Sequence, residues 1–358
     1  MILVLRRGAA PAQRAEVIQL LSRGGLATPP ALVRCALGEV CCVEQAAVPS
    51  ALRERLRGMP AVERLIEVST PYQLASRIAQ PERTIVRVGS VRVGGPRPVV
   101  IAGPCSVESE EQIIAAAQAA RAAGADLLRG GAFKPRTSPY SFQGLGLEGL
   151  RLLERARAET GLPIVTEALE PGLMAAVAEV ADVVQIGSRN MQNFPLLKAA
   201  GRCGRPVLLK RGFASTIEEW LLAAEYLLAE GNSQVILCER GVRGFDPATR
   251  NLLDLACVPL ARRLTHLPIL VDPSHGTGRR ELILPLATAA IAAGADGVMV
   301  EMHPQPERSI SDAAQTIGPE ALRRLVRQTQ TVAEALREAL LADDFPLAEP
   351  ALRGSECW

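Results

Sequence analysis

AAGADLLRGG (residues 122–131) and AAGADGVMVEM (residues 292–302) are nearly one connection written twice: paired alanines, a glycine, Ala-Asp, then a short β-rich run. Glycine just past a helix can turn left-handed without a Cβ clash, so each copy reads as a helix end feeding a strand. Outward from these copies the same alternation continues, with PVVIAG, DLLRGG, PIVTE, DVVQIG, PVLLKR, QVILCE, PILVD and GVMVEM separated by candidate helices. Eight βα units across roughly 240 residues predict a (β/α)8 barrel whose site forms at the C-terminal ends of the strands.

Upstream, Ile2–Leu5, Ala12–Arg23, Leu32–Leu37, Val40–Ala46, Ser50–Arg57 and Val62–Val68 read in the order βαββαβ, the pattern of a ferredoxin-like sandwich. Residues 71–95 carry prolines and the paired runs of TIVRVGSVRVGG, which predict a linker containing a β-hairpin. The expected organisation is a ferredoxin-like domain at 1–70, the linker at 71–95, a catalytic barrel at 96–340 and a tail at 341–358. The fold class is α/β.

Forty basic residues against thirty-eight acidic ones leave a net charge of +2, and aromatics are 3%, which argues against a nucleic-acid partner. MILVLRR is too short in its apolar part for a secretory signal, and the longest apolar run, Leu282 to Ala295, is too short to span a bilayer. Eight scattered cysteines without CxxC spacing fit a reducing cytoplasm. No membrane association is expected.

At or just beyond the strand ends stand Cys105, Arg129 with Lys134, Glu167, Arg189, Lys210, Glu239 with Arg240, Asp272 with His275, and Glu301. Cys105, His275, Glu301 and Asp312 offer sulfur, imidazole and two carboxylates, a donor set for one divalent transition metal: manganese, iron, cobalt or zinc. Arg129, Lys134, Arg136, Arg189, Lys210 and Arg240 would repel one another at one mouth unless anions lay between them, so at least two phosphate or carboxylate groups are expected on the substrates. The loop LRGGAFKPRTSPYSFQ (128–143), which also holds Thr137, concentrates this charge. Lys210 as a Schiff-base lysine is the competing reading, and a metal that polarises the carbonyl argues against it.

GPCSVES (103–109), LRGGAFKPRTSPYSFQGLG (128–146), QIGSRNMQN (185–193), PVLLKRG (206–212), ILCERG (236–241), LVDPSHGTG (270–278) and VMVEMHP (298–304) resemble the 3-deoxy-D-arabino-heptulosonate 7-phosphate synthases. The likeness spans the barrel, and the βαββαβ segment resembles the regulatory domain of one branch of that family. It implies condensation of phosphoenolpyruvate with erythrose 4-phosphate, the first step of the shikimate pathway, with metal ligands at Cys105, His275, Glu301 and Asp312. It further implies phosphoenolpyruvate contacts at Arg129, Lys134, Arg189, Lys210 and Arg240, aldose-phosphate contacts at Arg136, Thr137, Ser188 and Asp272, and a water-orienting acid at Glu167. Lys134, Glu167, Cys105 and His275 are the expected catalytic set. Feedback by phenylalanine or tyrosine and a homotetramer are implied as well. The nearest alternative is 3-deoxy-octulosonate 8-phosphate synthase, whose loop resembles KANRS where this chain has Lys134-Pro135-Arg136-Thr137-Ser138. A non-catalytic amino-acid-sensing regulator is a third reading.

Overall fold

The computed structural model describes residues 1–24, 32–35, 37–44, 48–136 and 138–342. Its first unit is β1 (Ile2–Leu5), α1 (Pro11–Arg23), β2 (Leu32–Cys35), β3 (Gly38–Cys42), α2 (Ser50–Arg57) and β4 (Val62–Ile66). The strands pair antiparallel in the order β2-β3-β1-β4, the ferredoxin-like arrangement. β1 is buried on both faces, which explains why ILVL does not alternate. Leu3 and Leu5 pack with Val17 and Leu21 of α1 and with Leu52 and Leu56 of α2. Ile2 and Val4 instead join a buried cluster that continues through Tyr72 and Leu74 into the barrel.

The segment that follows is tied to the barrel by its backbone. Glu225, on helix Ile217–Ala229, accepts from Leu74 N at 2.7 Å and Ala75 N at 2.9 Å. His266 Nε2 lies 2.8 Å from Leu74 O, and its Nδ1 lies 2.7 Å from Thr84 Oγ1. The expected hairpin is β5 (Val86–Val88) with β6 (Val91–Val93). Val86, Val88 and Val93 pack onto Val99, Leu127, Val183 and Leu208, so the hairpin closes the barrel's N-terminal end.

Eight parallel strands then close in a ring: β7 (Val99–Gly103), β8 (Leu127–Arg129), β9 (Ile164–Glu167), β10 (Val183–Ile186), β11 (Val207–Lys210), β12 (Val235–Glu239), β13 (Ile269–Val271) and β14 (Gly297–Glu301). Closure is by β14 on β7, with Gly297 opposite Val99. Each run expected from the sequence is a strand, and Gly124 and Gly294 take φ of 88° and 94°, the left-handed turn inferred for the repeated connection.

Alternation along the strands sorts side chains into two layers. Ile101, Leu127, Val165, Val183, Leu208, Ile236, Cys238, Leu270 and Met299 fill the barrel interior. Val100, Leu128, Ile164, Val184, Leu209, Val235, Leu237, Val271 and Val300 face the helices. Continuing the inward parity past the strand ends leads to Cys105, Arg129, Glu167, Gln185, Lys210, Arg240, Asp272 and Glu301. No helix among the described residues is long and apolar enough to cross a membrane.

Candidate active site

Asp272 begins the short helix Pro273–Thr277. As N-cap its carboxylate accepts from His275 N at 2.9 Å, and proline follows at the first helical position, where no N–H is needed. This turn sets His275 beside its own cap, with Nδ1 2.7 Å from Asp272 Oδ2. A carboxylate there favours a proton on Nδ1, the tautomer in which Nε2, 3.2 Å from Glu301 Oε1, could ligate a metal. Lys210 Nζ donates to the same Asp272 oxygen at 2.5 Å. Burial alone would raise the Asp272 carboxyl, but His275 and Lys210 hold it well below its ordinary value.

Four side chains converge beside this pair. One ligand atom each from Cys105, His275, Glu301 and Asp312 lies within 4.8 Å of the other three. Cys105 Sγ lies 3.3 Å from Asp312 Oδ2 and 3.1 Å from Lys134 Nζ. Burial, and then the Glu301 charge, push its thiol up to about 12. Glu301 is fully buried; burial opposes its ionisation, yet His275 and Arg129 keep its carboxyl far below the ordinary range. It accepts from Arg129 Nη1 at 3.1 Å and Gln315 Nε2 at 2.7 Å. Asp312 has φ 57° and ψ 35°, alone in left-handed space among the described non-glycine residues. An acid held in this pose points to a side-chain requirement, since the conformation is costly without one. Thiol, imidazole and two carboxylates at this spacing fit a divalent transition metal.

A cavity of about 310 Å³ opens above these groups and is lined by Arg129, Lys134, Arg136, Arg189, Lys210, Arg240 and Arg250, with Glu167 and Asp312 as its acids. The Arg129 guanidinium is buried, bonds Glu301 and Cys105 O, and has an Nε with no hydrogen-bond partner among the described residues. Lys134 Nζ also reaches Cys105 O at 2.8 Å. Arg240 is 3% exposed and forms no ion pair among the described residues; burial pulls its pKa down from the ordinary value. Arg136 donates to Phe142 O at 2.9 Å and to Ser311 Oγ. Seven cations facing two acids select anionic ligands carrying more than one charged group.

Glu167 lines the wall and accepts from Gln185 Nε2 at 3.1 Å. Gly187 makes room for it: a Cβ there would lie 2.0 Å from Glu167 Oε1. Ser188 also reaches the cavity, whereas Thr137 lies outside the described residues. Asp272 is fully buried and absent from the cavity wall, its oxygens engaged by His275 and Lys210 rather than offered to a sugar. Glu239, of outward parity, pairs with Arg211 at 3.1 Å behind the wall. Phe213, Gln185, Gln315 and Arg250 take part without having been singled out from sequence. Arg250 lies well beyond its strand end and donates to Asp312 Oδ1 at 3.2 Å, whereas Phe213 could have been noticed as a rare aromatic following Lys210-Arg211-Gly212.

The sequence profile of the DAHP synthetase I family matches residues 76–338. The chain belongs to the DAHP synthetase I family. Phospho-2-dehydro-3-deoxyheptonate aldolase of Thermotoga maritima is 51% identical over 283 residues, 79% of this chain and 84% of that protein. A 2-dehydro-3-deoxyphosphooctonate aldolase of Syntrophotalea carbinolica is 32% identical over 267 residues, 69% of this chain and 95% of that one. The crystal structure of the Thermotoga maritima DAHP synthase superposes with a TM-score of 0.74 at 45% identity, covering 94% of this chain and 98% of that one. Like the other members of the DAHP synthetase I family, this chain is an enzyme, so the reading as a non-catalytic regulator is set aside.

Proposed function

We propose that the protein condenses phosphoenolpyruvate with D-erythrose 4-phosphate and water to give 3-deoxy-D-arabino-heptulosonate 7-phosphate and phosphate, the entry step to aromatic amino acids. The observation that carries this reading is the four-ligand cluster at the floor of a cavity walled by seven cations. A divalent metal held by Cys105, His275, Glu301 and Asp312 would supply Lewis acidity toward the aldose carbonyl.

The chain's own groups supply the rest. Arg129, Lys134, Arg189, Lys210 and Arg240 bind the carboxylate and phosphate of phosphoenolpyruvate and present its C3 to the aldehyde carbon. Arg136, Ser188 and Thr137 bind the aldose phosphate. Lys134 donates a proton to the developing alkoxide. Glu167, steadied by Gln185, orients the water that adds at C2, after which the C–O bond to phosphate breaks and the cations hold the departing anion. Asp272 fixes the tautomer of His275 and anchors Lys210, a positioning role in place of the sugar contact expected from sequence.

Identity of 51% to the heptonate enzyme against 32% to the octonate enzyme favours the four-carbon acceptor, as does Lys134-Pro135-Arg136-Thr137-Ser138. Phosphate release assayed with erythrose 4-phosphate and with arabinose 5-phosphate, after chelation and with manganese, iron, cobalt or zinc restored singly, tests substrate and metal together. Turnover with arabinose 5-phosphate alone would overturn the assignment, and full turnover without metal would remove the ligand roles. The same reading extends to a cytoplasmic homotetramer whose small domain takes phenylalanine or tyrosine. Sedimentation, and calorimetry with each amino acid, test those two extensions.

A further inference from the structure

Three guanidinium groups gather around one phenyl ring at the cavity wall. Arg240 lies 4.7 Å from the centroid of Phe213, Arg189 5.5 Å and Arg243 5.6 Å. Like charges this close repel, and the π-face of an aromatic ring is the apolar surface that attracts them. Arg240 and Arg189 line the cavity with Phe213, and Arg240 is buried with no ion pair among the described residues; its guanidinium donates to Gly241 O at 3.3 Å and lies over the ring.

The turn that carries Phe213 is built to be rigid. Arg211, of outward parity, is pinned by Glu239 at 3.1 Å and Asp254 at 2.9 Å, and its Nε donates to Ser215 O at 3.0 Å across the turn. Gly212 N donates to the Met191 sulfur at 3.1 Å, and Arg243 N donates to Phe213 O at 2.6 Å. The backbone is thus held on both sides of Phe213, and the arginine guanidiniums lie against its ring.

We propose that Phe213 is a positioning residue that stacks Arg189 and Arg240 in the arrangement that receives the phosphoenolpyruvate anion. The proposal rests on the functional reading above. Without the ring, Arg240 loses the face it lies against, and the cost of ordering it falls on binding of that substrate. The aldose phosphate, assigned above to Arg136, which donates to Phe142 O and Ser311 Oγ, is affected less.

The test uses the full-length enzyme loaded with manganese and compares Phe213→Leu, which keeps apolar bulk, with Phe213→Tyr, which keeps the ring. Calorimetry with phosphoenolpyruvate and steady-state kinetics in both substrates are the readouts. Phe213→Leu is expected to weaken phosphoenolpyruvate binding about tenfold, with KM for that substrate rising in step, KM for erythrose 4-phosphate moving less than threefold, and Phe213→Tyr restoring most of the affinity. Unchanged phosphoenolpyruvate affinity in Phe213→Leu overturns the proposal while leaving the reaction assignment intact. Equal weakening toward both substrates without rescue by tyrosine overturns it in favour of a purely structural ring. Absence of phosphoenolpyruvate binding by the unaltered enzyme overturns this proposal and the functional reading together.

Discussion

Replacing Asp272 by asparagine keeps the size of the side chain and removes one charge at the point where the metal-ligand cluster meets the cationic wall. Asp272 is fully buried and takes three donors: His275 N at 2.9 Å, His275 Nδ1 at 2.7 Å and Lys210 Nζ at 2.5 Å. An amide has one acceptor atom. With its oxygen left on the helix cap, its NH2 faces Nδ1 and forces the proton to Nε2, the nitrogen that would ligate the metal. Turned the other way, the NH2 opposes the His275 N–H. Loss of such an outer carboxylate costs a metal site about 10- to 100-fold in affinity, or about 1.4–2.8 kcal/mol. Lys210, with 5% of its side chain exposed, also loses its ion-pair partner, so the metal-free protein should lose about 3–5 kcal/mol of stability. Competition for manganese against a chromophoric chelator gives the affinity, and urea unfolding of the metal-free protein gives the stability. An Asp272→Asn enzyme with unaltered manganese affinity would refute the tautomer argument, even if its stability fell as expected.

Metal affinity should also rise with pH. Burial pushes the Cys105 thiol up to about 12, so it is protonated at neutral pH and must release its proton to ligate. The thiol contributes about a tenfold gain per pH unit below that value, and chelator competition between pH 6.5 and 8.5 should show Cys105→Ala losing both the affinity and one proton's worth of that slope. Gly187→Ala places a Cβ 2.0 Å from Glu167 Oε1; displacing the acid should cost about 10²-fold in kcat with far less effect on manganese binding, read from phosphate release and the same competition assay. Glu239→Ala strands the buried Arg211, whose remaining acid is Asp254, and should destabilise the protein by about 3 kcal/mol in urea.

Much of this architecture was legible because its signals are local. Each barrel strand is a short run between a helix end and a charged loop, and the repeated Ala-Ala-Gly-Ala-Asp connection announces its own turn chemistry. The ferredoxin-like order could be read for the same reason, since α1 and α2 are each flanked by compact apolar runs. The four candidate metal ligands were visible as chemistry, but the sequence alone could not bring Asp312 back to Cys105. That return depends on a loop held by Arg250 on Asp312 and by Glu108, which accepts from Ile310 N at 2.9 Å.

What escaped was the distinction between an acid that faces the cavity and one that stands behind it, and strand parity supplies the missing criterion. Glu167 and Glu239 both end their strands, yet Val165 points inward in β9 whereas Ile236 and Cys238 point inward in β12. Two-residue periodicity therefore sends Glu167 into the barrel mouth and Glu239 outward to Arg211. The same count assigns Gln185 inward, beside Glu167, and puts Arg240 inward while its neighbour Glu239 is lost to it. Arg240 is left without the carboxylate that adjacency in sequence seemed to offer. Asp272 has inward parity too, but Lys210 and His275 reach its oxygens first, so parity decides which side of the wall a group occupies and its partners decide whether a substrate can meet it.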